Sequence, residues 1–208
     1  KDNEDTQESR IEVADSILNL RDSLRAKYPN TQIYAVGGPL FEKASLEARE
    51  ADNSLYAIAF CLGLALFWIC LKSFSFSIAL LSIAAATFGA TLGTYGWLGI
   101  PLNQISALGP LVVVVVAIAD GIHILAAYVQ GLHQGLTKLD SMRKSLEINL
   151  RPITLATITT AMGFLSLNYS SSPGIYGFGN LVAIGVCWAY VISVFLLPSL
   201  ILLLPTKT

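Results

Sequence analysis

One acidic residue lies within the apolar stretches of this sequence. It is Asp120, in the string Val112-Val113-Val114-Val115-Val116-Ala117-Ile118-Ala119-Asp120-Gly121-Ile122-His123. An ionisable side chain at the centre of a membrane helix costs ~2.5–3.5 kcal/mol on translocon scales, and such residues mark function by default. The chemistry open to it is proton uptake and release during transport; the bland alternative is a permanently neutral or hydrogen-bonded structural carboxyl. His123 follows three residues later, a spacing that brings Cβ atoms to ~5–6 Å on a helix. It can share or relay the proton, and equally fits a polar side chain facing a neighbouring helix or the cytoplasmic mouth. Further on, Thr154, Thr157 and Thr160 recur every third residue. Such a face can support Asp120 or hold water beside it, although threonine hydroxyls also bond back to the i−4 carbonyl.

Other chemistries lack their residues. Cys61, Cys70 and Cys187 all fall in apolar runs and form no Cys-x-x-Cys pair, so neither a disulfide framework nor a zinc site is expected. His123 and His133 are the only histidines, too few for a histidine metal cage. No Gly-x-x-x-x-Gly-Lys-Ser/Thr string is present to hold nucleotide phosphates. No nucleophile, base and oxyanion set converges, so the chain is read as a non-enzyme without cofactors.

The elements that must position Asp120 follow from composition. Of 208 residues, 54% are hydrophobic and 13% charged, and mean hydropathy is +0.62; soluble domains carry roughly 25% charged residues. Residues 1–53 hold 7 of the 13 Lys and Arg and 11 of the 14 Asp and Glu. This charge balance excludes a nucleic-acid arm. The chain thus divides into a polar piece, 1–53, and a membrane piece, 54–208. The latter contains five apolar runs, about 54–72, 77–98, 105–129, 152–169 and 176–204, each near the ~20 residues that cross ~30 Å of hydrocarbon. Gly109-Pro110 is expected to kink the third span or merely to start it. Ala85, Gly89, Gly93 and Gly96 predict a small-residue helix contact on the second span.

The polar piece reads as a helix from Ile11 to Tyr28, a short strand over Gln32–Val36 stopped by Gly37-Gly38-Pro39, and a charged helix from Phe41 to Asp52 running straight into the first span. Too small for a core of its own, it is expected to be the end of a larger α/β domain. With no Met at its start and no signal peptide, the chain reads as a fragment. Basic residues follow the first, third and fifth spans (Lys72; Lys138, Arg143, Lys144 and Arg151; Lys207), whereas the loops Gly99–Gln104 and Ser170–Gly174 have none. The positive-inside rule then puts residues 1–53 outside the cell, periplasmic in a Gram-negative cell, and residue 208 in the cytoplasm.

Together, the intramembrane acid, a basic loop with Gly131 and Gly135, Arg151-Pro152-Ile153-Thr154 leading to Thr159-Thr160-Ala161-Met162-Gly163-Phe164, and a last span closing on Leu197-Pro198 resemble the resistance-nodulation-division superfamily. The branch they resemble is the MMPL-type exporters, which share their helical core with sterol-sensing domains. The resemblance implies an all-α polytopic fold, here five transmembrane helices preceded by the end of an α/β periplasmic porter domain, forming part of one of two similar halves. It also implies proton-driven export of lipidic or amphiphilic substrates across the bacterial inner membrane, with Asp120 as the coupling carboxyl and membrane lipids, protons and the missing second half as partners. The family often follows the acid with Tyr or Asp; here Gly121 stands there, leaving His123 as the candidate proton partner. Two other functions use similar spans: a sterol- or lipid-sensing module without proton coupling, and a protein-translocation accessory like the SecD/SecF pair.

Overall fold

The apolar runs become long helices because a backbone in hydrocarbon must satisfy its own hydrogen bonds. The computed structural model describes residues 2–48, 58, 62, 73–103 and 105–203. The chain divides into two units, residues 1–65 and 66–208.

In the first unit, helix α1 spans Asp2–Lys27, beginning nine residues before the predicted start. Residues 38–48 form a second helix, α2. Lys43 of α2 pairs with Asp15 of α1, and Arg10 with Glu42 at 3.4 Å. The predicted strand over 32–36 is absent, and no strand occurs among the described residues. A strand needs a neighbour to complete its ladder. This segment instead runs as irregular chain, its Ile33 carbonyl accepting from Arg25 Nε and Nη2 at 2.9 and 2.6 Å, with Tyr34 and Val36 exposed. The predicted continuation of the charged helix through Asp52 into the first span, and the first span itself, lie outside the described residues apart from the helical positions Ile58 and Leu62.

The second unit contains four helical segments long and apolar enough to cross a membrane. Helix α3 is Phe74–Trp97, and α4 is Gly109–His133, preceded by a 3-10 turn at Ser106–Leu108. Helix α5 is Lys138–Leu165, followed by a 3-10 turn at Ser166–Tyr169. Helix α6, Pro173–Val191, passes through a π turn at Ile192–Leu196 into α7, Leu197–Leu203. The π turn stands directly before Pro198, which lacks an amide hydrogen and crowds the carbonyl four residues back.

Two boundaries differ from expectation. Gly109-Pro110 makes no kink; the proline occupies the first turn of α4, where its missing N–H costs nothing. Helix α5 begins 14 residues before the predicted fourth span and runs through Pro152. Thr137 caps it: its Oγ1 accepts from the Asp140 amide at 3.2 Å and donates to Asp140 Oδ2 at 2.6 Å, an acidic variant of the capping box. The short turn before it needs Gly135 in the left-handed region, at φ 82°.

The bundle packs around α4. Phe76 and Tyr128 meet edge to face at 6.0 Å, within a core that includes Leu80, Ile83, Ile124, Leu125, Leu197 and Ile201. Val113 packs with Val182 and Val186 in a second cluster. Helix α5 stands at the periphery, burying only Ser141, Met142, Ser145 and Ile153.

The small-residue contact predicted on the second span is not found within this unit. Ala85, Gly89, Gly93 and Gly96 of α3 are exposed, and a Cβ on any of the three glycines would meet nothing within 4 Å. Close approaches instead use Gly109, Gly121 and Gly131 of α4 and Gly177, Gly179 and Gly185 of α6.

Candidate functional site around Asp120

Residues recurring at three- and four-residue spacing give α4 one buried stripe: Val113, Ala117, Asp120, Gly121, Ile124 and Tyr128. Asp120 lies on this stripe, 8% exposed. Its Oδ2 has no hydrogen-bond partner among the described residues. An acceptor left in that condition costs about 1–3 kcal/mol, so the fold carries Asp120 at a loss.

Gly121, directly after the acid, is closely packed. A Cβ there would fall 2.5 Å from Leu80 Cδ2 and 2.8 Å from Ile83 Cδ1, with Leu197 Cδ2 at 3.5 Å. Two core helices close over the position, so a tyrosine ring has no room. His123 is exposed, one turn along and off the buried stripe.

The threonine face on α5 makes no hydrogen bond to Asp120 among the described residues. Thr154 Oγ1 donates to the Leu150 carbonyl at 2.7 Å and meets the Tyr190 hydroxyl at 3.0 Å. Thr157 and Thr160 are half-buried, and among the described residues neither hydrogen-bonds Asp120. Among the described residues no hydrogen bond joins Asp120 to His123 or to any of the three threonines.

Two other hydroxyls occupy the environment expected of that face. Thr87 of α3 and Ser193 in the π turn are both fully buried, and neither hydroxyl oxygen has a partner among the described residues. Their level follows from contacts. Gly121 packs on Leu80 and Ile83 while Phe76 meets Tyr128, so α3 runs antiparallel to α4. Thr87, one turn beyond Ile83, therefore falls about level with Ala117, one turn from Asp120. On the other side Gly109 packs on Leu181, Val113 on Gly185 and Gly121 on Leu197, so α6 runs parallel to α4. Ser193 then falls level with Asp120. The sequence signal for the α3 group was available in Thr87, Thr91 and Tyr95, four residues apart. It sits two residues, or about 200°, round the helix from the glycine stripe that drew the prediction.

Comparison with known proteins bears on this arrangement. A protein of Methanocaldococcus jannaschii, whose description goes no further than a membrane protein, is 25% identical over 177 residues, 84% of this chain and 45% of that protein. The chain spans less than half the length of that relative. Residues 2–207, including every helix described above, match the MMPL family, and the chain belongs to that family of multi-pass membrane proteins.

Proposed function

We propose that this chain is part of a proton-driven exporter of lipidic or amphiphilic molecules, with Asp120 as the coupling carboxyl. The observation that carries the reading is a carboxyl on the central helix of the bundle, buried, with an oxygen that no described group satisfies. Sealed from water such a group is held neutral; hydrated, it is charged. Protonation therefore biases two arrangements of the packed helices, which is the requirement for coupling. His123, at the edge of the site, receives or passes on the proton. Thr154, Thr157 and Thr160 form a polar flank on α5 rather than direct partners of the carboxyl.

In this reading residues 1–53 belong to an outer porter domain and a fifth span occupies about 54–72. The α3–α4 and α5–α6 loops face outward, and Lys138, Arg143, Lys144 and Arg151 face the cytoplasm, in keeping with the positive-inside rule. A second half completes the transport route, since transporters of repeat design place their pathway between repeats. Substrate is recognised by apolar bulk and the lipid surroundings. A sensing module needs the same helices and makes no use of Asp120.

The test is export by the full-length protein under an imposed proton gradient. Asp120→Asn keeps shape and hydrogen-bonding capacity and removes titration. It should leave the protein inserted at the wild-type level while abolishing export. Wild-type export by that variant would overturn proton coupling through this site, and a failure to accumulate would return Asp120 to a structural role.

A further inference from the structure

We propose that Thr87, Thr91 and Tyr95 of α3 line the route by which protons from the outer face reach Asp120. This rests on the reading of Asp120 as the coupling carboxyl and extends it to the path that feeds it.

The three residues form a single line, four residues apart, and all are buried to within 1%. Hydroxyl-bearing side chains so spaced have Cβ atoms ~5–6 Å apart. One water accepting and donating at ~2.8 Å bridges about that span. At the inner end, the contacts between helices put Thr87, Ser193 and Asp120 within about one helical turn of each other in level, and Thr87 Oγ1, Ser193 Oγ and Asp120 Oδ2 have no partners among the described residues. Three polar atoms are what a buried water requires, since such waters make about 3 hydrogen bonds. At the middle, Thr91 Oγ1 donates to the Thr87 carbonyl at 2.7 Å and keeps its lone pairs free to accept. At the far end, the Tyr95 hydroxyl donates to the Gly177 carbonyl at 3.2 Å.

That end opens onto a polar loop. A Cβ on Gly177 would lie 3.1 Å from Asn103 Nδ2 and 3.4 Å from the Tyr95 hydroxyl. Asn103 in turn caps the turn into α4, its Oδ1 accepting from the Ser106 amide at 2.9 Å and its amide donating to Ser106 Oγ at 2.8 Å. Polar groups thus recur from the α3–α4 loop down α3 to Thr87; toward the other end of α4 the stripe runs through Ile124, Leu125 and Tyr128, where the buried Ser145 hydroxyl is committed to the Ile124 carbonyl at 2.5 Å. A proton entering from bulk water passes along water and hydroxyl groups to the carboxylate, each group releasing the proton it held as it accepts the next. No other species is consumed.

The titratable groups on the elements packed around the carboxyl are His123, Tyr128 and His133 on α4, Tyr95 on α3, and Tyr176, Cys187 and Tyr190 on α6. Helix α5 contributes Lys138, Asp140, Arg143, Lys144, Glu147 and Arg151 before Pro152 and none of these types beyond it. His123 stands three residues from Asp120 on the same helix, and the effect of a bulk pH change on it is controlled by His123→Gln.

The experiment uses the full-length protein in sealed vesicles of one orientation, following the infrared carboxyl band that Asp120→Asn removes. The expected result is that the band responds to a pH step outside and not to one inside. Thr87→Val should slow that response about tenfold, equivalent to roughly 1.4 kcal/mol on the barrier, Tyr95→Phe should slow it less, and Thr87→Ser should restore it. A wild-type rate in both Thr87→Val and Tyr95→Phe, or a band that follows the inner pH, overturns the route. If the band follows outer pH but Asp120→Asn still exports, the route stands and proton-coupled export fails. If Asp120→Asn alone stops export while the α3 variants behave as wild type, export stands and the route fails.

Discussion

Helices α3 and α5 each carry a line of hydroxyls through the hydrocarbon, and the bundle treats them differently. On α3, Thr87 and Thr91 face the core and are fully buried. On α5, Thr154 is tied to Leu150 and Tyr190, and Thr157 and Thr160 are half-buried at the periphery. Residue type and spacing are nearly the same in both. What separates them is how deeply each face is buried. In the proposed route a polar line matters where neighbours shut it away from both water and lipid, because there an unsatisfied hydroxyl such as that of Thr87 has to be answered by a bound water.

The sharpest way to break the comparison is to fill space. Gly179 of α6 lies against the Phe164 carbonyl, so an added Cβ meets backbone that cannot swing aside. Gly179→Val should cost about 3 kcal/mol, the upper range for overpacking, and lower the thermal midpoint in detergent more than any other single change considered. Thr87→Leu, on the buried face of α3, should cost about 1–3 kcal/mol for the same reason. Gly93→Leu, on the opposite face of that helix, meets open space within its unit and should leave the midpoint unchanged. A loss there as large as at Thr87 would mean that a further helix covers the glycine face.

Smaller effects sharpen the contrast. Thr154→Val removes the contact with Tyr190 and should cost about 0.6 kcal/mol, the average for side-chain hydrogen bonds between membrane helices. The smallest change is expected outside the membrane. Arg21 donates to Asp22 at 2.8 Å, and that hydrogen bond holds the Asp22 carboxyl below its ordinary range. A depressed carboxyl contributes stability above its unfolded pKa and loses it as pH falls through the folded one. Asp22→Asn should therefore only flatten the acid limb of a stability profile slightly, with no change near neutral pH, as measured by thermal melts across pH.

Much of this architecture is legible in the sequence because hydrocarbon imposes long apolar runs. The second, third and fifth runs fall within a few residues of α3, α4 and the α6–α7 segment. Asp120 announces itself by cost alone. What the sequence conceals depends on neighbours. The glycines of α3 look like a packing motif, yet the close contacts are made by Gly121, Gly179 and Gly185, whose partners come from elsewhere in the chain. The start of α5 was marked by Thr137 and Asp140, but the hydrophobic criterion passes over a polar helical extension. The alternation over 32–36 satisfies a strand pattern and lacks a strand to pair with. Thr87 and Thr157 cannot be ranked until one knows that Thr87 is fully buried on α3 and Thr157 only half-buried on α5.

The claim that the α3 line serves Asp120 is tested most directly by export from the full-length protein under one imposed proton gradient, comparing Thr87→Val with Thr157→Val. The two substitutions remove the same atom and leave the same shape. The account predicts export slowed about tenfold in the first, roughly 1.4 kcal/mol on the barrier, and unchanged in the second, with both proteins inserted at wild-type levels. Equal rates in the two variants, or a defect confined to Thr157→Val, would contradict it.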